Sequence, residues 1–435
     1  MSHPHSALPY GPTPPESWKV MPFKYLASLT NGYVFNSDKH ADSGTPIIRI
    51  ENLNGSENFN HSTLVLDDKF RVMPGDLLFS WSGNPGTSFG PFRWRRPGVH
   101  YLNQHIFNVS VRGCDRHWLY WSLKAATHWI ERELTSGMIG MVHVTKDELG
   151  NVPIPIPPVE VQHRVARYLD AETKRIDTLI CLREQQKRLW GDRARAYLYE
   201  RLASSSPRPG RSTYIDWLGY TDDDWKSATI GHMARFFMGT TFPHAYQGLR
   251  NGDYPFIKVS DFQYADEIGR METAENWISK STERELRAQI VPAGAVLYAR
   301  VGAALLLNRR RITTRTSVID DNVRAISFTH GDPRFWASVL SLLDMGQLVN
   351  PGPVPSLSEG QVASVRVPVP PAHEQTAIAD RMEHDSRHWK RSQEVLDQQL
   401  ALLAERRQSL ITAAVTGQFD VSTASGRNVT EGVAV

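Results

Sequence analysis

Cysteine is scarce in this chain. Its 435 residues hold two, Cys114 and Cys181, too few and too far apart for a disulfide framework or a cysteine-rich metal box. A reducing compartment is the simplest expectation. Long hydrophobic runs are missing as well. The most apolar stretch, Ala293 to Leu307, is broken by Arg300 and is too short to cross a bilayer. The opening Met1-Ser2-His3-Pro4-His5 has no basic stretch followed by an apolar run, so no secretory signal is visible. A soluble, cytoplasmic protein without a membrane partner is expected. Excess charge of one sign is also absent. The 49 Lys and Arg against 46 Asp and Glu leave a formal net charge of +3, which permits a nucleic-acid partner without requiring one.

Signatures of catalysis are lacking too. No Gly-x-Gly-x-x-Gly opens a βα unit, and no Gly-x4-Gly-Lys-Ser/Thr occurs. An amino-methyltransferase holds its flipped base with a polar residue, two prolines and an aromatic. The Pro-Pro pairs beyond the N-terminal region, Pro157-Pro158 and Pro370-Pro371, are flanked by Ile156 and Val159, and by Val369 and Ala372. The histidines show no metal-ligand spacing. No catalytic or metal-binding residue is assigned, and no cofactor is expected on this chain.

What is present is a long duplication. Hydrophobic residues at 40% allow packed cores, and the length suits two or three domains. Four landmarks recur in the same order. Trp18-Lys19 is matched by Trp225-Lys226, and the run from Pro46 to Leu53 by that from Pro255 to Phe262. The run from Val72 to Phe79 is matched more loosely by that from Ile290 to Leu297. The sharpest pair is Pro157-Pro158 ahead of Gln162, and Pro370-Pro371 ahead of Gln375. The separations stay between 207 and 218 residues, as loop insertions would leave them. A period this long is a whole domain with its connector, used twice.

The connectors read as long helices. Proline ends each strand-like segment, and no proline follows from Val159 to about Leu202 or from Ala372 to about Val415. In the second connector Met382, Trp389, Leu396, Leu403 and Leu410 keep a strict heptad. At an offset of 213 the first has Leu169, Ile176, Arg183, Trp190 and Tyr197. A seven-residue apolar repeat makes a seam that needs a partner helix. Each run of roughly 40 residues would extend about 60 Å, longer than a small domain is wide. Pairing with each other is the economical reading; lying on their own domains is the alternative. Ala203 to Ser212 reads as a flexible linker, and the residues after Asp420 as a tail.

This layout resembles the specificity subunit family of type I restriction-modification systems. The elements that carry the likeness are the Trp-Lys opening, the Gly75-Asp76-Leu77-Leu78-Phe79-Ser80 strand and the Pro-Pro-to-Gln launch of each helix. They cover about Trp18 to Asp420. The first copy has Val161 where the second has Glu374, and the second has Ala293-Gly294 in place of Gly-Asp. The resemblance implies an α+β fold. Two tandem β-rich target recognition domains would be separated by two long helices forming an antiparallel coiled coil, with a pseudo-twofold internal duplication. On that plan residues 1–156 are the first recognition domain, 157–203 the central helix, 204–212 a linker, 213–369 the second domain, 370–420 the C-terminal helix and 421–435 a tail. Leu169, Ile176 and Trp190 would meet the heptad residues of the other helix. The implied partners are double-stranded DNA with a bipartite site, two copies of an adenine methyltransferase subunit and a motor-nuclease restriction subunit. S-adenosylmethionine, ATP and Mg would then sit on those partners.

DNA contacts would come from the domains. Arg300, Arg309, Arg310, Arg311 and Arg315 crowd one span of the second, and Arg93, Arg95 and Arg96 one span of the first. Arginine offers a rigid donor fork for phosphate and for guanine. The first cluster follows the loop that holds Ser80, Ser82 and Asn84. Asn84 and Gln104 have the donor-acceptor pair that grips adenine. Arg49 and Lys258, at matching positions, suit phosphate or the support of a strand turn. The alternative for each cluster is a solvated face. A scaffold that binds only proteins remains the other reading of the whole chain.

Overall fold

The computed structural model describes residues 7–134, 141–203, 213–222, 224–350, 352 and 354–418. The expected linker and tail lie outside the described residues. Two compact units divide the chain: Met1–Leu182 with Gln399–Val435, and Arg183–Gln398. The division falls within both long helices.

In the first unit, Ala27–Asn31, Ile106–Val111, Leu77–Ser80 and Gly90–Arg93 lie side by side in an antiparallel sheet. All four residues of Leu77–Ser80 are buried because both faces of the strand are covered. Successive side chains alternate between faces. Leu77 and Phe79 meet Leu119, Leu123 and Ala126 of the helix Arg116–Trp129. Leu78 and Ile106 meet Ile48, Val72 and Leu102 of a second sheet. That sheet orders Asn60–Ser62, Thr45–Ile48, His100–Leu102 and Arg71–Val72, with one parallel pair between Thr45–Ile48 and His100–Leu102.

The second unit repeats this plan. Ala234–Met238, Val323–Phe328, Val296–Ala299 and Arg311–Thr313 follow in the same order, with Arg270–Met271 added at the edge. Its small sheet again holds a parallel pair, Tyr254–Ile257 with Val318–Ile319. The helix Pro333–Leu342 covers Val296 and Tyr298 with Phe335, Trp336, Val339 and Leu340.

The proline-rich runs are strands of two-stranded ribbons. Pro153–Ile156 pairs antiparallel with Lys19–Pro22, and Arg366–Val369 with Lys226–Thr229. Such edges tolerate the missing N–H of proline. Each run then turns into a helix of 44 residues, Val159–Leu202 and Ala372–Val415. The second helix stops short of 420. After Val415 the chain turns back, with Gly417 at φ +72° and the Gln418 N–H donating to the Ala413 carbonyl. A left-handed glycine is a frequent helix terminator.

The glycine-free launch has a buried clamp. Gln162 Nε2 donates to the Pro157 carbonyl at 2.8 Å, and its Oε1 accepts from the Asp115 N–H at 2.7 Å. Gln375 makes the same two bonds, to the Pro370 carbonyl at 2.9 Å and from the Asp332 N–H at 3.3 Å. Asp115 and Asp332 are the N-caps of the domain helices. One glutamine therefore ties a long helix to the start of the helix that covers its sheet.

A second tie is ionic. Arg93 reaches Asp170 at 2.8 Å in the first unit. Arg334 reaches Glu383 at 2.8 Å in the second, joined by Arg270 at 3.0 Å. Asp170 and Glu383 are 213 positions apart, as Gln162 and Gln375 are.

Within each unit a half of one long helix touches a half of the other. In the first, Val165, Ala166 and Leu169 share a cluster with Trp18, Trp118 and Trp121, and with Ile411, Ala414 and Val415. Arg407 Nε donates to Asp177 Oδ1 at 2.8 Å. In the second, Leu198 and Leu202 pack with Trp225 and Ala379, and Lys187 pairs with Asp397 at 2.5 Å. Of the heptad positions, Leu169, Ile176 and Leu396 are buried, while Trp190, Met382, Trp389, Leu403 and Leu410 are half-buried. Each helix faces both a domain and another helix, so its apolar surface is wider than one seam.

Candidate nucleic-acid interface

The first unit carries a polar cleft of about 520 Å³. Arg49, Asn84 and Gln104, far apart in sequence, all line it, together with Asn103 and His105. Arg49 stands just before the short helix Ile50–Leu53. Its backbone N–H donates to Asn52 Oδ1 at 2.9 Å, while its guanidinium, about half exposed, lies 3.5 Å from Glu51. Lys258 has the matching place before Val259–Tyr264, with its N–H on Asp261 Oδ2 at 2.7 Å. The matched basic residues thus sit at a capped strand-to-helix corner in both units. Asn84 is exposed, and its carbonyl accepts the N–H groups of Thr87, Ser88 and Phe89.

Gln104 and His105 form a turn between the strands His100–Leu102 and Ile106–Val111. Trp81 holds the turn. Its Nε1 donates to the Gln104 carbonyl at 3.0 Å and its backbone N–H to the His105 carbonyl at 3.3 Å. The Gln104 amide nitrogen lies 3.3 Å from His105 Nε2. Gln104 Oε1 and His105 Nδ1 are closed off from water and have no hydrogen-bond partner. Burial, and then the neighbouring His143, push the His105 pKa below its ordinary value, so the ring is neutral at pH 7.

Other candidates have structural duties. Ser80 and Ser82 are buried, with Ser80 Oγ donating to the Ser82 carbonyl. Arg93, besides bonding Asp170, stacks 4.3 Å from the centre of Tyr120. Arg96 donates to the carbonyls of Gly55 and Ser56, whereas Arg95 is exposed.

The second unit scatters its arginine run. Arg310 is buried and donates to the Leu340 carbonyl at 3.1 Å and to Asn308 Oδ1 at 2.7 Å. Burial lowers its pKa to about 10. Arg311 Nε donates to the Phe262 carbonyl and Arg300 Nε to the Asp321 carbonyl, each at 2.8 Å. Arg309 is exposed, as is Arg315, which lies 5.0 Å from the Trp277 ring centre. Consecutive residues that enter a strand point to opposite faces, so a cluster in sequence becomes three environments in space.

Sequence reasoning passed over Asn103 and His105. The available signal was the polar run Asn103-Gln104-His105 directly before an apolar strand. Among the described residues no three His, Cys, Asp or Glu are grouped to hold a metal ion. No helix among them is long and apolar enough to cross a membrane.

The two β-rich units are each clamped to a long helix by a buried glutamine. The sequence matches the type I restriction modification DNA specificity domain twice, over residues 15–185 and 222–395. The chain belongs to that family. It is 21% identical over 385 residues to the putative type I restriction enzyme MjaX specificity subunit of Methanocaldococcus jannaschii, across 85% of this chain and 86% of that one. It is 23% identical over 175 residues to the type I restriction enzyme EcoBI specificity subunit of Escherichia coli, a match spanning 39% of this chain and 35% of that relative. A chain solved in work on complex assembly and conformational transition of the type I R-M system has the same fold. Its TM-score is 0.68 at 15% identity, with 94% of this chain and 100% of that one covered.

Proposed function

We propose that this chain is the non-catalytic reader of a bipartite DNA site, directing adenine methylation and cleavage by partner subunits. The observation that carries this reading is the doubled domain, each copy tied to its own long helix by a buried glutamine and an arginine–carboxylate pair. A domain held rigidly on a helix can keep a fixed register to DNA, where sites read on one face are spaced by helical turns. The two helices pair antiparallel as a coiled coil under a pseudo-twofold relation, and their length sets the gap between half-sites. The Arg407–Asp177 and Lys187–Asp397 contacts support that pairing.

On this reading residues 1–156 and 213–369 each take one half-site. Double-stranded DNA meets the exposed Arg49, Arg95, Arg309 and Arg315 and the half-buried Lys258. Two copies of an adenine methyltransferase subunit bring S-adenosylmethionine, a motor-nuclease subunit brings ATP and Mg, and the complex works in the cytoplasm. A genome-wide map of methylated adenines tests it, in cells co-expressing this chain with its methyltransferase. A two-part motif with a fixed gap that vanishes when this chain is left out is the expected result. An active methyltransferase with no such motif would overturn the reading in favour of a protein-binding scaffold.

A further inference from the structure

The turn that joins the two sheets occupies the same place in both units. Tyr33 bridges to Asn103 in the first unit, and Thr240 bridges to Asp320 in the second, both parallel. The Trp81 N–H donates to the His105 carbonyl, and the Arg300 N–H donates to the Asn322 carbonyl. Asn103-Gln104-His105 therefore stands where Asp320-Asp321-Asn322 stands in the other copy. The backbone is held alike and the side chains differ, which is what two readers of different half-sites need at a base-contacting position.

In the first unit this turn also has unmet bonding capacity. Gln104 Oε1 and His105 Nδ1 lack partners, and both residues line the polar cleft with Arg49 and Asn84. The Gln104 amide nitrogen faces His105 Nε2 at 3.3 Å. With the ring neutral, that contact makes Nε2 the acceptor and puts the ring proton on Nδ1. The pair then has a free acceptor, Gln104 Oε1, and a free ring donor, His105 Nδ1–H, beside the second N–H of the Gln104 amide. Turning the amide over and moving the ring proton exchanges the two roles but still leaves both donor and acceptor capacity. In the major groove adenine alone presents a donor, N6–H, beside an acceptor, N7, on a single base. Guanine presents two acceptors there.

We propose that the Gln104–His105 turn is the base-reading element of the first domain and that it reads an adenine edge in the major groove. On binding, small side-chain rotations bring Oε1 and Nδ1 into the cleft that their neighbouring atoms already line. Arg49 holds the adjoining phosphate. This inference rests on the reading of the chain as a DNA specificity subunit.

The test is the adenine-methylation map of the assembled complex, carried out for the wild type and for Gln104→Ala, His105→Ala and Gln104→Glu. The alanine variants should lose discrimination at one A·T pair of one half-site, by roughly 5- to 150-fold, while the other half-site and the gap stay unchanged. Retention of the second half-site reports that the variant is folded and assembled. Gln104→Glu keeps only acceptors and should move the preference at that same pair from adenine toward cytosine, whose N4 amine is a donor. A wholly structural turn would not produce that switch. An unchanged motif in all three variants, degeneracy at a G·C pair, or loss of both half-sites would overturn the proposal while leaving the specificity-subunit reading in place. A wild type with no two-part motif would overturn both.

Discussion

Removing Gln162 should open the seam between the first domain and its long helix. Its side chain is buried and makes two bonds to backbone groups, one from the Asp115 N–H at 2.7 Å and one to the Pro157 carbonyl at 2.8 Å. Gln162→Ala strands both groups away from water. Each buried unsatisfied polar group costs about 1–3 kcal/mol, so a loss of about 2–6 kcal/mol is expected. That is a large part of the roughly 5–15 kcal/mol by which domains are stable. Because the chain has two compact units, a single unfolding midpoint is a poor readout. Amide hydrogen exchange at Asp115 is a sharper one. Its N–H should lose protection by roughly 30-fold or more, following about 1.4 kcal/mol per factor of ten. The Asp332 N–H, which bonds Gln375 in the other unit, should keep its own. Gln375→Ala should reverse the pattern with a smaller effect, since its bond from Asp332 is 3.3 Å long. Unchanged exchange at Asp115 in Gln162→Ala would refute the clamp.

Three more outcomes follow from the same contacts. Arg310→Ala should unfold part of the second domain, whereas Arg309→Ala and Arg315→Ala should leave stability within about 0.5 kcal/mol and flatten the salt dependence of DNA binding by roughly one counterion each. Thermal melts beside salt titrations separate the two effects, and a stable Arg310→Ala would contradict its buried bonds. Lys124 is pulled down to a pKa of about 8 by burial and then by Arg407, with Phe92 as its ring neighbour. The unfolded state therefore holds the proton more tightly, and stability should rise between about pH 8 and 10.5. Lys124→Met should abolish that rise and stabilise the protein by about 1–3 kcal/mol at pH 7, measured by denaturant titration at several pH values. Leu396→Asp buries a charge in the long helix and should cost about 3 kcal/mol or more, read as lost helicity on mild heating; a wild-type melt would place that residue outside the seam.

The candidate site was legible only in part. Arg49, Asn84 and Gln104 have the right chemistry in sequence, and they meet on one cleft because two sheets bring residues 49, 84 and 104 to a common edge. Arg93 and Arg310 have the same chemistry and serve the fold instead, one on Asp170 and one on the Leu340 carbonyl. Side-chain type does not reveal which face of a strand a residue will take once its ends are bent by Gly and turns. His105 was passed over because a lone histidine in a turn shows nothing until Trp81 is seen to pin the backbone and leave Nδ1 without a partner.

The order of elements belongs to the sequence alone. Two Trp-Lys openings, two proline runs and two proline-free stretches of helical composition dictate two copies of one domain and two long helices, because proline and periodic apolar residues act locally on the backbone. The helices run Val159–Leu202 and Ala372–Val415, with a Pro-Pro pair ahead of each and Gly417 just after the second. Only tertiary structure decided what Gln162 and Gln375 do, why Asp170 and Glu383 keep the same 213-residue offset, and which arginines remain free for DNA. Each of these depends on a partner outside its own element, 47 residues away for Gln162 and Asp115 and 30 for Arg310 and Leu340, and such pairings exist only after the sheets and helices have packed.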